Sequence, residues 1–187
     1  AWGVEIPTNK GGVVTDFIEQ AGEGVLRGFY VFGEDPVLSE PNQAKVIANL
    51  ENLDFLVCQE IFMSETAKLA DVVLPASSFA EKDGTFTNTE RRVQRVRKAV
   101  NPPGEAKPDW EIICLMSTAM GHPMSYADAG QIFDEMASLT PSYGGMSFER
   151  IDEVGLQWPC PTPDHQGTGF LHEGQFTRGL GVFHEIN

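Results

Sequence analysis

With 187 residues, 41% of them hydrophobic and 21% charged, the chain has the size and composition of a globular protein of one or two domains with a real core. Its net charge of −14 argues against nucleic acid or an anionic membrane as a main partner, because phosphate backbones need lysines and arginines to displace their counterions. No apolar run approaches the ~20 residues of a membrane span, so direct membrane insertion is not expected.

The chain starts Ala1-Trp2-Gly3, with neither a basic start nor an apolar stretch behind it, so a secretory leader is not expected. It also starts without Met, which suits a processed protein or a piece cut from a longer one. Cys58, Cys114 and Cys160 lie far apart and form no C-x-x-C, so neither a local Fe–S cluster nor a zinc ribbon is encoded. Buried thiols in a reducing compartment fit this spacing, which favours the cytoplasm and leaves the periplasm open.

Residues 1–23 read as a leading segment with an apolar patch around Phe17 and Ile18. Val25–Phe32 reads as a strand, stopped by Gly33-Glu34-Asp35-Pro36. Pro41–Leu53 carries Val46, Ile47 and Leu50 at helical spacing. Phe55–Gln59 is a continuous apolar run, the pattern of a parallel strand covered on both faces. Ser64 is placed to cap a short helix through Ala70, and Val72–Leu74 is a third strand ended by Pro75. Strand, helix, strand, helix, strand makes two βαβ units. The expected fold is therefore α/β, a Rossmann-like, doubly wound, mainly parallel sheet with additional C-terminal helices and loops.

Thr85–Val100 reads as one or two extended segments before the break at Asn101-Pro102-Pro103-Gly104. Pro108–Met120 is a helix, with Pro108 in its first turn and Asp109 and Glu111 at its positive end. A second helix spans Ala127–Leu139, a short one is expected near Ser147–Val154, and short strands are expected at Gly169–His172 and Gly181–His184. The expected division is an α/β dinucleotide-binding domain over 24–125, a helical extension over 126–157, and a loop and short-strand segment over 158–187.

Open parallel sheets bind ligands beyond the carboxyl ends of their strands. The first end delivers Gly33, Glu34 and Asp35, with Ser39 soon after; the second Gln59 and Glu60; the third Ala76, Ser77 and Ser78. A carboxylate there can accept from ribose hydroxyls or from the paired N–H donors of guanine, and an amide such as Gln59 both donates and accepts. The rim suits a nucleotide, although no G-x-G-x-x-G and no P-loop is present. The plainer alternative makes Gly33–Pro36 a turn, Ser77-Ser78 a strand-end cap, and Asp109 a first-turn residue satisfying backbone N–H groups. The basic run Arg91–Lys98 reads first as a solvated strand face, and otherwise as a wall for a pyrophosphate or a partner. His122, His165, His172 and His184 show no ligand spacing, and no Ser sits in G-x-S-x-G.

Several stretches, in order, carry a family resemblance. They are Gly33-Glu34-Asp35-Pro36, Gln59-Glu60-Ile61-Phe62, Glu65-Thr66-Ala67, Ala70-Asp71-Val72-Val73-Leu74-Pro75 and Glu81 to Arg91. Lys107-Pro108-Asp109-Trp110, Gly155 to Cys160 and Gly167-Thr168 follow. In these the chain resembles the large subunits of molybdenum- or tungsten-dependent formate dehydrogenases, of the molybdopterin guanine dinucleotide oxidoreductase family with the dimethyl sulfoxide reductase fold. The resemblance covers nearly the whole chain.

The resemblance implies that the rim holds the guanosine end of one of two pterin dinucleotides of a bis-molybdopterin guanine dinucleotide carrying Mo or W. The family's contact positions correspond to Asp35, Ser39, Gln59, Ala76 and Asp109, beside Gly33 and Glu34 in the first turn. Ala76 stands where some relatives have serine, so only its backbone serves; Ser39 replaces a threonine and keeps the hydroxyl. Gly84, Thr87 and Asn88 are implied to lie near the cofactor cleft.

The family's [4Fe–4S] cysteine motif, its Cys or selenocysteine metal ligand with the adjacent His and Arg, and its C-terminal β-barrel are absent from these residues. The chain is therefore expected to be an internal fragment, inactive alone, of an enzyme that oxidises formate to CO₂ and passes electrons to Fe–S centres. Its expected partners are the remaining domains of the same polypeptide and electron-transfer subunits. Two rivals stand beside this: a nitrate reductase-type relative, and a non-catalytic structural relative such as the large Fe–S subunit of complex I.

Overall fold

The computed structural model describes residues 3, 5–176 and 178–185. The chain divides into two compact units, Ala1–Asp83 with Val96–Ser125, and Gly84–Arg95 with Tyr126–Asn187. Beside the expected α/β domain over 24–125, the first unit takes in residues 1–23 and leaves out residues 84–95, which belong to the second unit. Where the chain leaves and rejoins the first unit, the N–H groups of Ala99 and Val100 both donate to the Ala80 carbonyl, at 2.8 and 3.1 Å.

The first unit is built on a three-stranded parallel sheet in the order β1 (Gly28–Phe32), β2 (Phe55–Glu60), β3 (Val72–Pro75). This is the expected α/β architecture. The order is sequential, so the reversal that defines a doubly wound sheet does not fall among these strands. One face is covered. Val31, Leu56 and Cys58 pack with Val37 of α2 (Pro36–Ser39) and with Val46 and Leu50 of α3 (Gln43–Glu51). The other face carries Tyr30 and Phe32, partners in register of Val57 and Gln59, and Val72; Tyr30, Phe32 and Val72 are exposed. Within β2 itself, expected to be covered on both faces, Leu56 and Cys58 are buried on one face and Gln59 on the other, while Phe55 at its start is exposed.

The leading segment contains a helix that its weak apolar pattern did not announce, α1 (Val14–Gly22). Ile18 and Ala21 are buried, and α3 holds α1 through its amides: Asn49 Nδ2 donates to the Ile18 carbonyl and Asn52 Nδ2 to that of Ala21, both at 3.0 Å. The strand expected from Val25 begins only at Gly28, because the N–H groups of Val25 and Leu26 close α1 by donating to the Gln20 carbonyl at 2.9 and 3.0 Å. The helix expected over Ser64–Ala70 is a single 3₁₀ turn, Ala67–Leu69, with Ser64 Oγ accepting from the Ala67 N–H at 3.1 Å. The helix starting after Pro108 is α4 (Asp109–Ala119).

The second unit has a sheet ordered β4 (Gly84–Thr87), β5 (Arg92–Val96), β6 (Leu156–Gln157), and one long helix, α5 (Ala129–Leu139). Asp128 caps α5 by accepting from the Gln131 N–H at 2.9 Å. Asn88 opens the β4–β5 turn: its Oδ1 accepts from the Arg92 N–H at 2.9 Å, and Arg91 takes the left-handed φ of 69°. Val93, Phe133, Met146, Ile151 and Cys160 form the core. Ser147–Val154 makes turns rather than a helix, and no strand forms at Gly169–His172 or Gly181–His184.

The basic run is not a solvated face over most of its length. Arg91 donates to the carbonyls of Trp158, of Thr168 at 2.9 Å and of Gly169 at 3.1 Å, and its guanidinium lies 5.6 Å from the Trp158 ring centre. Arg95 lies 3.7 Å over Phe148. The irregular residues after β6 have carbonyls with no ladder partner, and a guanidinium satisfies several at once. Arg97 and Lys98 are exposed. No helix among the described residues is long and apolar enough to cross a membrane.

Candidate functional site

The carboxyl ends of the three strands lie level, Phe32 beside Gln59 and Glu60 beside Pro75. Beyond β1 the chain turns at Gly33, whose φ of 61° favours glycine. The Gly33 N–H donates to the Gln59 carbonyl at 2.9 Å. Beyond β3, the Ala76 N–H donates to the Glu60 carbonyl at 3.0 Å. The Lys107 N–H donates to the Pro75 carbonyl at 3.1 Å, in a parallel bridge beside Ala76. That bridge brings the chain back alongside β3, and α4 starts two residues later. The N-terminus of α4, with Asp109 as its first residue, is thereby delivered to the rim.

Alternation along β2 turns Gln59 away from the Leu56 and Cys58 side, and the side chain is fully buried, at 0% exposure. A buried amide needs partners for both of its ends. Gln59 Nε2 donates to Asp109 Oδ1 at 2.8 Å, and the Tyr30 hydroxyl donates to Gln59 Oε1. Asp109 Oδ2 accepts from Lys82 Nζ, which also donates to the Ser77 carbonyl at 2.9 Å. Tyr30, Gln59, Asp109, Lys82 and Ser77 thus form one continuous relay within the first unit. The side chains of Lys82 and Asp109 each keep 26% exposure, so the relay reaches the surface at that end. Burial, and then the nearby Asp109 carboxylate, push the Tyr30 phenol above its ordinary value of 10.0. The phenol therefore remains a donor at neutral pH.

The structure thus brings Gln59 and Asp109 into contact and sets Gly33 against the Gln59 backbone. Asp109 does not cap its own helix; its oxygens go to Gln59 and Lys82. Asp35 is engaged elsewhere. Its Oδ1 accepts from the Thr66 hydroxyl at 2.6 Å and the Thr66 N–H at 3.0 Å, and its Oδ2 from the Glu65 N–H at 3.3 Å. Thr66 Oγ1 in turn accepts from the Val37 N–H at 3.1 Å. Asp35 therefore ties the turn after β1 to the loop before β3. Ser39 is exposed at the end of α2, Glu34 is exposed, and Ala76 is buried. Gly84, Thr87 and Asn88 lie in the second unit's hairpin.

Tyr30, Lys82 and Thr66 are the functional neighbours that sequence reasoning missed. Tyr30 carries a signal, a hydroxyl on an otherwise apolar strand, where a polar tip on an apolar ring calls for a hydrogen-bond partner. Lys82 is a lone cation between Glu81 and Asp83, a pattern with no periodicity to mark it.

The Molybdopterin oxidoreductase family model matches residues 3–119. The chain belongs to the molybdopterin oxidoreductase family. It is 52% identical over 172 residues to F420-dependent formate dehydrogenase 2 subunit alpha of Methanococcus maripaludis, covering 90% of this chain and 25% of that one. It is 40% identical over 186 residues to formate dehydrogenase H of Escherichia coli, covering 97% of this chain and 26% of that one. Among solved structures, acetylene hydratase from Pelobacter acetylenicus matches with a TM-score of 0.60 at 25% identity, over 77% of this chain and 20% of that one. The chain spans about a quarter of the length of the curated relatives it matches.

Membership implies a molybdopterin cofactor, and the rim has exposed polar groups of a kind that could hold part of one. Glu34 and Ser39 are exposed, Asp109 is partly so, and nothing lies within 4 Å of where a Cβ on Gly33 would stand. Ser77 Oγ is buried without a partner beside the corner that Lys82 holds. Among the described residues no group of three His, Cys, Asp or Glu side chains is placed to hold a metal ion.

Proposed function

We propose that this segment forms part of the wall that holds the guanosine end of a bis-molybdopterin guanine dinucleotide in a formate dehydrogenase α subunit. The observation that carries the proposal is the buried Gln59 amide joined to the Asp109 carboxylate at the carboxyl edge of a parallel sheet. That edge is where open α/β sheets bind nucleotides. The partly exposed Asp109 offers acceptors to the base with the buried Gln59 amide holding it, the exposed Ser39 and Glu34 are available to the ribose, and Gly33 lets the backbone approach closely. Asp35 contributes by holding the loop through Thr66. When bound, the pterin and its Mo or W supply two-electron redox chemistry, while this segment binds and orients.

The rest of the site belongs to other parts of the polypeptide: the metal ligand, the [4Fe–4S] centre and the residues that act on formate. The exposed sheet face at Tyr30, Phe32 and Val72 supports that assignment, because parallel sheets are covered on both faces. Electron-transfer subunits complete the partner set. Three free, buried cysteines suit a reducing compartment such as the cytoplasm. The relatives named formate dehydrogenase support formate over nitrate as substrate.

The full-length protein carrying this segment is the test. Purified anaerobically and acid-denatured, it is expected to release guanine nucleotide in proportion to its pterin, and to reduce a viologen dye with formate. Release of no guanine nucleotide would overturn the cofactor assignment. Turnover of nitrate without turnover of formate would overturn the substrate.

A further inference from the structure

Of the side chains in the relay, Tyr30 and Lys82 stand behind the pair that the proposed function uses. Their arrangement removes the freedom that Gln59 and Asp109 would otherwise have. A glutamine amide can turn over and exchange its donor and acceptor ends. Here the Tyr30 hydroxyl donates to Oε1, so the amide presents Nε2 toward Asp109. A turned amide would set its oxygen against an Asp109 carboxylate oxygen, with no donor between them, and lose the phenol's donated bond. An aspartate carboxylate can rotate about its own axis. Here Oδ1 is held by Gln59, and Oδ2 by a Lys82 ammonium that is itself tied to the Ser77 carbonyl at 2.9 Å. Neither end of the relay is loose: Tyr30 sits within β1 and Ser77 at the corner after β3.

We propose that Lys82, with Tyr30 as its counterpart, is a positioning residue that locks the Asp109 carboxylate in one plane, and that this lock makes the rim prefer guanine to hypoxanthine. The inference rests on the proposed function. A fixed carboxylate accepts from two adjacent N–H donors at once, which guanine presents through N1–H and its exocyclic amino group. Hypoxanthine presents N1–H alone. When the carboxylate turns freely, its second acceptor is not held ready and the advantage of the amino group is lost. Lys82 touches neither base in this account. It acts through Asp109, and its removal is expected to change selectivity more than it changes affinity for hypoxanthine.

The experiment uses the full-length protein produced without pterin cofactor, titrated by calorimetry with GMP and with IMP. The unaltered protein is expected to prefer GMP by about 10-fold or more, the scale of one hydrogen bond to a charged group. Lys82→Met is expected to bring the ratio to near unity with IMP affinity changed by less than about threefold, and Lys82→Arg to restore most of the preference. Tyr30→Phe removes only a hydroxyl and is expected to lower the ratio about threefold by freeing Gln59. It carries the test if Lys82→Met does not fold. A GMP preference unchanged in Lys82→Met, or in Tyr30→Phe where that variant stands in, would overturn the lock while leaving the proposed function intact. Failure of the unaltered protein to bind either nucleotide would instead overturn the reading on which the lock rests.

Discussion

Gln59 and Asp109 are 50 positions apart in sequence, and the amide of one donates to the carboxylate of the other at 2.8 Å. The bond joins the end of β2 to the first residue of α4, so it fixes the helix against the sheet as well as building the rim. Asp109→Ala leaves the fully buried Gln59 with an unpaired N–H, while the partly exposed Lys82 can return to water. Urea denaturation is expected to show a loss of about 1–3 kcal/mol. Asp109→Asn keeps an acceptor and is expected to lose less.

Asp35 is a tie between the turn after β1 and the loop before β3. Asp35→Ala removes the acceptor from the Thr66 hydroxyl, the Thr66 N–H and the Glu65 N–H together. The expected cost is about 3 kcal/mol, with faster hydrogen exchange at the amides of Glu65 and Thr66. Thr66→Ser keeps the hydroxyl and is expected to be close to neutral; Thr66→Val strands the Val37 N–H and leaves Asp35 Oδ1 with only the residue-66 N–H, so it is expected to cost less than Asp35→Ala.

Arg91→Lys is expected to behave as a severe change within the second unit. A lysine ammonium cannot reach the three carbonyls of Trp158, Thr168 and Gly169 with a planar fork, nor stack on Trp158 in the same way. A loss of about 1–2 kcal/mol is expected, read as increased exchange at the amides of residues 157–169.

Alkaline pH should weaken the fold through groups that hold their protons more tightly when folded. Burial, then Asp109, raises the Tyr30 phenol above 10.0; burial, then Glu60, raises the Cys58 thiol above 9.0. In each case the folded state binds more protons than the unfolded state in the window above the ordinary value. The associated stability is therefore fully present below about pH 9 and falls as pH rises through the raised values. Denaturation curves are expected to be flat in this contribution from neutral pH to about 9 and to shift downward beyond it. Cys58 is also expected to resist thiol reagents at pH 8 until the protein unfolds.

Much of the first unit was legible because its strands are short apolar runs between turn residues, and α3 and α4 carry clear start signals. What failed depended on contacts across the chain. Val25 and Leu26 have the composition of a strand, yet their N–H groups are claimed by Gln20. Ser64–Ala70 has a good cap, but the Asp35 tie at Thr66 leaves only one 3₁₀ turn. At the rim, strand ends alone marked Gln59. Asp109 looked like an ordinary first-turn residue by spacing, and entered the set through the family resemblance. Lys82 was invisible, because a lone cation in a polar turn has no periodic neighbour to betray its partner. Arg91 and Arg95 were misread for the opposite reason: a run of like charges suggests water, and here it meets bare carbonyls and an aromatic face.

The double bond from Ala99 and Val100 to the Ala80 carbonyl has a consequence for how this segment tolerates change in length. It clamps the neck of the excursion through residues 84–95, so the outgoing and returning chain stand side by side whatever the hairpin does beyond them. Insertions and deletions at the tip of that hairpin, around Thr89 and Glu90, are therefore insulated from the sheet that carries Gln59. Lengthening there changes the second unit's hairpin while the Ala80 carbonyl still holds both returning amides.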